Sequence, residues 1–538
     1  MQGTFSSTQG IFPVSSRAKP PPDLRPPLEY PGYPLHGLLR QTFGRCPDKI
    51  ALVYGERELT FRDLEERSNA CARALTRLGV RKGDRVALLT PNSVEFEITF
   101  FGGSKAGAIL TSLNPAYKEE EIHYQLEDSG ARALIVHAPL MPLVESVRGD
   151  LPNLKEIVVT EGDAPPGFLN FDAWIAAEIT EPPDEPSIDQ AKDLIALPYS
   201  SGTTGRPKGV MLSHRNLVCN YHQFITNHRI GESDGGLNFL PLYHIYGCMI
   251  MGGLILAGAK QVLMRRFDVE DALLLIERHH LTLFHAVPPA LLAIAHHPET
   301  ENYDLSSLRY IMSGAAPLPP EVRRLTQEKT GCLTFMGYGL TETSPVTHMN
   351  PLEEEWVREE SIGPPVSDLE QKVVDLETGE QELETGEVGE LALKGPQVMQ
   401  GYWNAPEETA RALRGGWFHT GDIVRIDEDE YVYIVDRLKE MIKYKGFSVA
   451  PAELEALLHH HPLVADVAVV PKADPEAGEI PKAFIVLKDG ESAEPEEILE
   501  FVRGKVAGFK EIREVEFISQ IPKSGSGKIL RRVLRDRN

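Results

Sequence analysis

The sequence predicts an α/β protein with a large first part and a small α+β domain at its C-terminal end. Through the first two thirds of the chain, short apolar runs alternate with amphipathic stretches, which is the βαβ rhythm of parallel sheets covered by helices. With 538 residues, the chain is also longer than a single hydrophobic core usually allows. We therefore expect two or more domains.

The predicted strands are short and rich in branched or leucine side chains. They are RVALL from 85, ALIVH from 133, EIVVT from 156, LIAL from 194, QVLM from 261 and LRYIM from 308. Between Leu59 and Val80 the apolar residues recur at helical spacing, and Gly79 ends that helix. The longest apolar run, Ile245 to Ala259, is shorter than the roughly 20 residues that cross a bilayer, so we interpret it as a buried helix.

The pattern changes twice in the second half of the chain. After about residue 365, ETGEQELETGEVGELALKG places Thr-Gly turns between short alternating strands. A second break follows YIVDRLKE, and the remaining residues alternate between helical and strand patterns. We therefore divide the chain into a Pro-rich, loose leader (1–35), a main domain (36–436) and a C-terminal domain (437–538).

Composition and charge exclude several classes of function. The net charge is −24, from 55 basic and 79 acidic residues, which argues against a general role on nucleic acid or on an anionic membrane. The five cysteines have neither metal-ligand spacing nor a disulfide framework, as expected in a reducing compartment. The N-terminal residues lack the basic start and apolar core of a secretory signal. We expect a cytoplasmic protein that binds no nucleic acid and does not insert stably into membranes.

The stretch YSSGTTGRPKGV, from Tyr199, has the composition of a phosphate-binding loop. Glycines let backbone N–H groups turn toward one anion, hydroxyls add donors, and Lys208 adds a positive charge. It is not the common phosphate loop, because Gly205 is followed by Arg206 rather than by lysine. A solvated loop would explain the small polar residues alone. The ordered string favours a polyphosphate ligand.

This string resembles the phosphate-binding signature of the adenylate-forming superfamily. That superfamily comprises acyl-CoA synthetases, 4-coumarate:CoA ligases, beetle luciferases and the adenylation domains of peptide synthetases. Further family motifs follow in the expected order: PLYHIYG at 241, SGAAPL at 313, GYGLTETSP at 337, GWFHTGD at 416, DRLKEMIKYKGFSVAPAELE at 436 and PKSGSGK at 522. The resemblance covers nearly the whole chain after about residue 35. It implies a main domain of parallel sheets plus a distorted β-barrel, and a small mobile α+β C-terminal domain.

The resemblance also implies a reaction in two halves. A carboxylate attacks the α-phosphate of ATP, which is accompanied by Mg²⁺, and gives acyl-AMP and pyrophosphate. The thiol of CoA then displaces AMP. Because attack at phosphorus concentrates negative charge, catalysis depends on positioning and on cationic stabilisation.

The family motifs assign roles to individual residues of this sequence. Lys528 would bridge the carboxylate and the α-phosphate, and Glu342 would bind Mg²⁺, since hard cations prefer oxygen ligands. Asp422 and Arg437 would contact the ribose. The implied ATP- and AMP-binding residues are Ser200, Ser201, Gly202, Thr203, Thr204, Lys208, Ala315, Ala316, Gly337, Tyr338, Gly339, Thr341, Asp422, Arg437 and Lys528. The implied catalytic residues are Lys528, Lys443, His244, Thr341 and Glu342.

Other motif residues are assigned to the acyl group, to CoA and to a hinge. A lone histidine between apolar residues is usually a core residue, but by resemblance His244 lines the substrate carboxylate. Lys443 would face the active site during thioester formation, and the domains would pivot at Lys439. The implied acyl-pocket residues are His244, Tyr246, Gly339, Pro345 and Val346, and the implied CoA-binding residues are Lys445 and Gly446. Ser448 departs from the glutamine often found there in coumarate ligases and luciferases.

The sequence leaves the substrate acid open. PLYHIYG lacks the aspartate of amino-acid-activating domains, which disfavours a peptide synthetase. The apolar segment after His244 contains Gly252, Gly253 and Gly258 as openings, which favours a medium- or long-chain fatty acid, although a packed core helix has the same pattern. By resemblance, four residues match the surroundings of the substrate ring in coumarate ligases, so an aryl acid is the alternative. They are Tyr246, Gly339, Pro345 and Val346.

A non-catalytic member of the fold is the remaining alternative. Such a protein should have lost Lys208, Glu342 or Lys528, and this chain has all three. We expect its partners to be a small carboxylic acid, ATP and CoA, and the protein to be a monomer or a homodimer.

Overall fold

The computed structural model describes residues 25–200, 207–438, 440–445, 447–523 and 528–537. Six residues assigned from the motifs lie outside these ranges: Ser201, Gly202, Thr203, Thr204, Lys439 and Gly446.

The first part of the chain alternates strands with helices. Its elements are α1 (His36–Arg45), β1 (Ile50–Tyr54), β2 (Arg57–Thr60), α2 (Phe61–Arg77), β3 (Arg85–Leu89), α3 (Val94–Ala106), β4 (Ile109–Ser112), α4 (Glu119–Ser129), β5 (Ala133–His137), α5 (Met141–Val147), β6 (Glu156–Thr160), β7 (Leu169–Asn170), α6 (Phe171–Ala176), β8 (Leu194–Ala196) and β9 (Tyr199–Ser200). Helix α2 starts where Thr60 caps its first turn and exchanges hydrogen bonds with Asp63.

The same alternation continues to about residue 350. The elements are β10 (Lys208–Ser213), α7 (His214–Asn227), β11 (Gly235–Asn238), α8 (Ile245–Ala257), β12 (Lys260–Leu263), α9 (Val269–His279), β13 (Leu283–Ala286), α10 (Pro288–His296), β14 (Tyr310–Ser313), α11 (Pro320–Thr330), β15 (Thr334–Gly339) and β16 (Val346–Met349). The six strands predicted from the sequence coincide with β3, β5, β6, β8, β12 and β14, so those predictions are confirmed.

Strands and turns dominate the rest of the main domain, and a smaller α+β unit follows. The former elements are β17 (Glu370–Val374), β18 (Val388–Lys394), β19 (Gly401–Tyr402), α12 (Pro406–Ala412), β20 (Leu413–Arg414), β21 (Trp417–Ile426) and β22 (Val432–Arg437). The latter are β23 (Ile442–Tyr444), β24 (Phe447–Val449), α13 (Pro451–His459), β25 (Val464–Asp474), β26 (Gly478–Leu487), α14 (Pro495–Val502), β27 (Glu514–Phe517) and α15 (Arg531–Arg535).

Within the described residues the strands form four sheets. Two are largely parallel, with the orders β16-β15-β14-β13-β11-β12-β1-β2 and β19-β10-β8-β4-β3-β5-β6-β7, and β9 pairs with β10. The third is antiparallel, β17-β18-β21-β20 with β22 beside β21, and the fourth is β24-β23-β26-β25 with β27 beside β26. The predicted class, parallel α/β sheets followed by an antiparallel region and a small α+β domain, is confirmed.

Helix α8 is the apolar segment that follows His244, and every one of its residues is buried. A Cβ at Gly252 would stand 2.0 Å from Cε2 of Tyr221, and one at Gly253 would stand 2.6 Å from the Phe224 ring. These glycines therefore admit the aromatic side chains of α7. Gly258 ends the helix at φ 71°. Of the two interpretations that the sequence left open, openings or a packed core helix, the structure supports the packed core helix, because packing and helix termination account for all three glycines.

The described part of the leader is tied to the main domain. The Leu28 N–H and the Tyr30 hydroxyl both donate to Oδ2 of Asp368, at 3.1 and 2.7 Å. Leu35 is fully buried. The loose leader predicted from its prolines is therefore wrong for residues 25–35. Across the described ranges, the structure contains no helix long and apolar enough to span a membrane.

Candidate active site

Glu342 lies in the short helical turn that follows β15, at the carboxyl end of a parallel sheet. Its Oε1 accepts hydrogen bonds from the Ser200 hydroxyl (3.2 Å) and from the Tyr402 hydroxyl (3.0 Å). Its backbone oxygen accepts from the Met399 N–H at 2.8 Å. These contacts fix both the turn and the carboxylate, and they join the start of the phosphate-loop motif to Glu342.

The carboxylate of Glu342 fits a Mg²⁺ ion. Hard cations prefer carboxylate and phosphate oxygens. Among the described residues, both hydrogen bonds to this carboxylate end on Oε1, so Oε2 is the oxygen that remains for a cation. Thr341 precedes Glu342 in the same turn.

Small residues around β15 are required by close backbone contacts. A Cβ at Gly339 would stand 2.1 Å from the carbonyl oxygen of Pro345, and one at Gly337 would stand 2.8 Å from Sδ of Met312. Ala315 has φ 68°, a left-handed conformation that non-glycine residues seldom adopt. Its backbone is held by neighbouring bonds, among them Ala316 N–H to Gly314 O at 2.9 Å. The segments assigned to adenine are therefore sterically constrained.

Asp422 and Arg437 form an ion pair on adjacent strands, in which the Asp422 carboxylate is buried and the Arg437 side chain is partly exposed. They are register partners in the antiparallel pair β21 and β22, and Arg437 Nε lies 2.8 Å from Asp422 Oδ1. The hydroxyl of Tyr338 donates to the other carboxylate oxygen. Burial and the neighbouring Asp422 raise the pKa of Tyr338 well above its usual value, so the hydroxyl keeps its proton. These two contacts fix the orientation of the Asp422 carboxylate.

Lys528 of the small domain lies within electrostatic reach of these groups. Part of the residue is open to solvent, yet surrounding protein lowers its pKa, and Arg437 lowers it further. The negative charges of Asp422 and Glu342 raise the pKa of Lys528. Lys528 therefore interacts electrostatically with the predicted metal and ribose groups.

His244 caps helix α8 with its ring. Its Nδ1 accepts the Tyr246 backbone N–H at 3.3 Å, so in the neutral ring the proton is on Nε2. Burial lowers the pKa of His244 to about 4, with a further contribution from Lys528. His244 is therefore a neutral hydrogen-bond donor near Lys528 rather than a base at neutral pH.

Lys208 begins β10, immediately after the phosphate-loop residues that are not described. Its ammonium lies 3.4 Å from Oε1 of Glu408 and 5.6 Å from the centroid of the Tyr402 ring. The two flanks of the loop are both held by α4. The Tyr199 hydroxyl donates to Asp128 at 2.6 Å, and the Tyr124 hydroxyl donates to the Pro207 oxygen at 2.8 Å.

The acyl-pocket residues surround the carboxyl ends of β14 and β15. Tyr246 is buried and packs against Gly314. A Cβ at Gly314 would stand 2.8 to 3.1 Å from the ring and hydroxyl of Tyr246. Val346 and Pro345 both pack against Gly339. A Cβ at Gly339 would stand 3.1 Å from the Val346 Cα and still closer to the Pro345 backbone. The predicted acyl-pocket residues therefore form two contacting groups, His244 with Tyr246 and Gly339 with Pro345 and Val346.

Lys443 and Lys445 lie elsewhere, exposed on the hairpin of β23 and β24. The Lys443 N–H donates to Glu479 of the same small domain at 2.8 Å. Lys445 has φ 48°. Of these three lysines of the small domain, the structure shows an electrostatic interaction with Asp422 and Glu342 for Lys528.

Sequence reasoning missed Tyr402, Glu408 and Asp128. Tyr402 reaches Glu342 only because β19 pairs with β10, where Val210 and Tyr402 are register partners. No local pattern signals a contact between residues 60 positions apart in the chain. The family motifs named the charged groups but not the side chains that hold them.

Comparison with known proteins agrees with this site. The chain matches the family described as AMP-binding enzyme over residues 39–403, and the family described as AMP-binding enzyme C-terminal domain over residues 453–528. A 4-coumarate--CoA ligase from Pinus taeda is 42% identical over 520 residues, which cover 94% of this chain and 95% of that protein.

Two solved structures share the fold. The anthranilate CoA ligase AuaEII in complex with anthranoyl-AMP has a TM-score of 0.85 and 33% identity, covering 94% of this chain and 97% of that one. ATP-bound MatB from Rhodopseudomonas palustris has a TM-score of 0.86 and 29% identity, and the match covers 94% of this chain and 99% of that one.

These matches span both the main and the small domain and agree with the family motifs of the sequence. They confirm the resemblance. The chain belongs to the AMP-binding enzyme family of adenylate-forming proteins, and it is an AMP-forming acid–thiol ligase that uses ATP, Mg²⁺ and CoA.

Proposed function

We propose that this protein activates an aryl carboxylic acid of the 4-coumarate type as its adenylate and transfers the acyl group to CoA. The observation that carries this proposal is the similarity, over 94% of the chain, to a relative named 4-coumarate--CoA ligase. The medium- or long-chain fatty acid favoured by the sequence pattern is less well supported than this aryl alternative.

The surroundings of helix α8 support a short, rigid acid. Side chains of α7 fill the positions beside Gly252 and Gly253, so these glycines give no room for a long aliphatic chain. The Tyr246 hydroxyl is buried and, among the described residues, has no hydrogen-bond partner. A buried hydroxyl without a partner costs about 1–3 kcal/mol, so a polar substituent on a bound ring would be favourable there.

For the first half-reaction, each group has a role that its position permits. Lys528 would stabilise charge on the α-phosphate and the attacking carboxylate, and Lys208 would bind the phosphates that leave. His244 would donate its Nε2 proton to a carboxylate oxygen and so orient the acid. When bound to Glu342, Mg²⁺ supplies neutralisation of phosphate charge. Thr341 would contact the α-phosphate from the adjacent position.

The nucleotide would be held by the remaining groups. Asp422, oriented by Arg437 and Tyr338, would accept hydrogen bonds from the ribose hydroxyls. The adenine would lie against the compact backbone at Ala315, Ala316 and Gly337 to Gly339. The hydroxyls and N–H groups of Ser200 to Thr204 would contact the phosphates.

The second half-reaction would use the other face of the small domain. We propose that a pivot at Lys439 exchanges Lys528 for the hairpin that carries Lys443, with Lys445 and Gly446 beside the pantetheine. Hinges of this kind absorb a large backbone change at a few residues. The division of the chain near residue 436 is part of this proposal.

A panel of acids tests the substrate assignment. We expect kcat/KM with ATP and CoA to be higher for 4-coumarate and other cinnamates than for hexanoate or decanoate. Higher kcat/KM for decanoate than for every cinnamate would return the assignment to a fatty acid. Failure to release pyrophosphate with any acid would favour the non-catalytic alternative.

A further inference from the structure

Tyr402 lies between the two charged groups that the proposed adenylation needs most. Its hydroxyl donates to Oε1 of Glu342 at 3.0 Å, the same oxygen that accepts from Ser200. Because both of these hydrogen bonds end on Oε1, they orient the carboxylate with Oε2 turned to the remaining side. Tyr402 thus helps to decide which oxygen of Glu342 is presented to a cation.

The ring of the same tyrosine contacts the phosphate-binding lysine. The Lys208 ammonium is 5.6 Å from the ring centroid, within the range of a cation–π interaction. On its other side the ammonium is 3.4 Å from Glu408. One side chain therefore contacts both Glu342, through its hydroxyl, and Lys208, through its face.

The backbone of Tyr402 is fixed relative to both groups. Strand β19 pairs with β10, the strand that carries Lys208. The Tyr402 N–H donates to Oγ1 of Thr409 at 2.8 Å. Three residues earlier, the Met399 N–H donates to the backbone oxygen of Glu342. The position of the ring is thus set by strand pairing rather than by the side chains that it holds.

The hydroxyl of Tyr402 is the donor in its hydrogen bond to Glu342, because an ionised carboxylate can only accept. A neutral phenol beside a carboxylate gives a charge-assisted hydrogen bond, which is stronger than a bond between neutral groups.

We propose that Tyr402 is a positioning residue for adenylation: its hydroxyl sets the orientation of Glu342 toward the metal, and its ring holds Lys208 toward the phosphates. This inference rests on the proposed roles of Glu342 and Lys208. It adds a residue that contacts neither metal nor nucleotide but acts through both of these side chains.

Calorimetric titration of ATP, in Mg²⁺ and then in EDTA, separates the two contacts. Tyr402→Phe keeps the ring and removes the hydroxyl. We expect the ATP affinity of Tyr402→Phe in EDTA to match that of the unmodified protein. The Mg²⁺ gain, which is the ratio of ATP affinity in Mg²⁺ to that in EDTA, should fall roughly 10-fold, as for a lost hydrogen bond to a charged group. Tyr402→Leu removes the ring as well, so it should also weaken ATP binding in EDTA.

Two controls make the result specific. Tyr431→Phe removes another buried phenolic hydrogen bond, 2.6 Å to the Trp356 oxygen, and should leave the Mg²⁺ gain unchanged. Glu342→Gln should abolish the gain. The melting temperature of each variant reports stability independently.

The outcomes distinguish this inference from the function on which it rests. If Glu342→Gln loses the Mg²⁺ gain but Tyr402→Phe keeps it, the role of Tyr402 is wrong and that of Glu342 stands. If the unmodified protein shows no gain, both are wrong. If Tyr402→Phe or Tyr402→Leu weakens binding equally with and without Mg²⁺ and lowers the melting temperature as Tyr431→Phe does, Tyr402 is merely structural.

Discussion

Replacement of His244 separates the helix cap that the structure shows from the contact that we propose with the substrate. Through Nδ1 the ring caps helix α8, and in the proposed reaction its Nε2–H donates to the substrate carboxylate. His244→Ala removes both. His244→Asn keeps a residue that caps helices well but is too short to carry the donor to the same position.

The expected magnitudes follow from these two contacts. A hydrogen bond to a charged acceptor contributes about 1.5–3 kcal/mol, so both variants should lose roughly 10- to 100-fold in kcat/KM for the carboxylic acid. Loss of the cap costs about 1 kcal/mol, and only His244→Ala should lower the free energy of unfolding by that amount. Pyrophosphate release over a range of acid concentrations, with urea unfolding of each variant, measures both.

The pH profile supplies the refuting result. Because burial and Lys528 lower the pKa of His244 to about 4, the ring stays neutral from pH 6 to 9 and should add no inflection to kcat/KM in that range. If the unmodified enzyme shows an acidic limb near pH 6.5 that disappears in His244→Asn, the ring is a general base and the reasoning is wrong.

Three further predictions concern other parts of the molecule. Lys528→Ala should abolish acyl-AMP formation while sparing the reaction of supplied acyl-AMP with CoA, and equal loss of both half-reactions would contradict the assigned role. Gly252→Ala would place a Cβ 2.0 Å from the Tyr221 ring and should lower the free energy of unfolding by about 1–3 kcal/mol in urea; a stable variant with altered chain-length preference would instead indicate an acyl channel. Acid should destabilise the protein, because buried histidines stay neutral in the fold. Below about pH 6.5 these histidines bind protons only in the unfolded chain, so stability that is present above that pH is lost on acidification. Between pH 7 and pH 5.5, five histidines lower the free energy of unfolding by about 6 kcal/mol. Two carboxyls whose pKa is raised in the fold increase it by about 3 kcal/mol, so the net loss is about 3 kcal/mol. Unchanged urea midpoints at the two pH values would contradict this prediction. The groups are His214 and His285 (pKa about 3), His244 and His348 (about 4), His228 (well below its usual value), Glu97 (about 8) and Glu455 (about 7).

The sequence predicted the parts of the fold that local patterns determine. Strands such as Ala133–His137 are continuous apolar runs, and their type and place follow from that composition. For motif residues such as Glu342 and Asp422 the resemblance predicts the chemistry, and those roles stay predictions.

Contacts between distant segments could not be predicted in this way. Gly252 suggested an opening because glycine leaves space, but whether a ligand or Tyr221 fills that space depends on how α7 packs. Likewise the Tyr402 hydroxyl reaches Glu342 only through the pairing of β19 with β10. The choice between aryl and aliphatic acids depends on such packing, which periodicity cannot distinguish from an ordinary core helix.

Isotope transfer from the acid to the nucleotide tests the central claim most directly. In the proposed reaction an oxygen of 4-coumarate attacks the α-phosphorus, so one carboxylate oxygen is retained in AMP after CoA displaces it. With 4-coumarate labelled with ¹⁸O at both carboxylate oxygens, together with ATP, Mg²⁺ and CoA, mass spectrometry should find one labelled oxygen in AMP and one in the thioester carbonyl of 4-coumaroyl-CoA. Pyrophosphate should be unlabelled. Label in inorganic phosphate with ADP as the nucleotide product, or no thioester from 4-coumarate while decanoate yields one, would contradict the account.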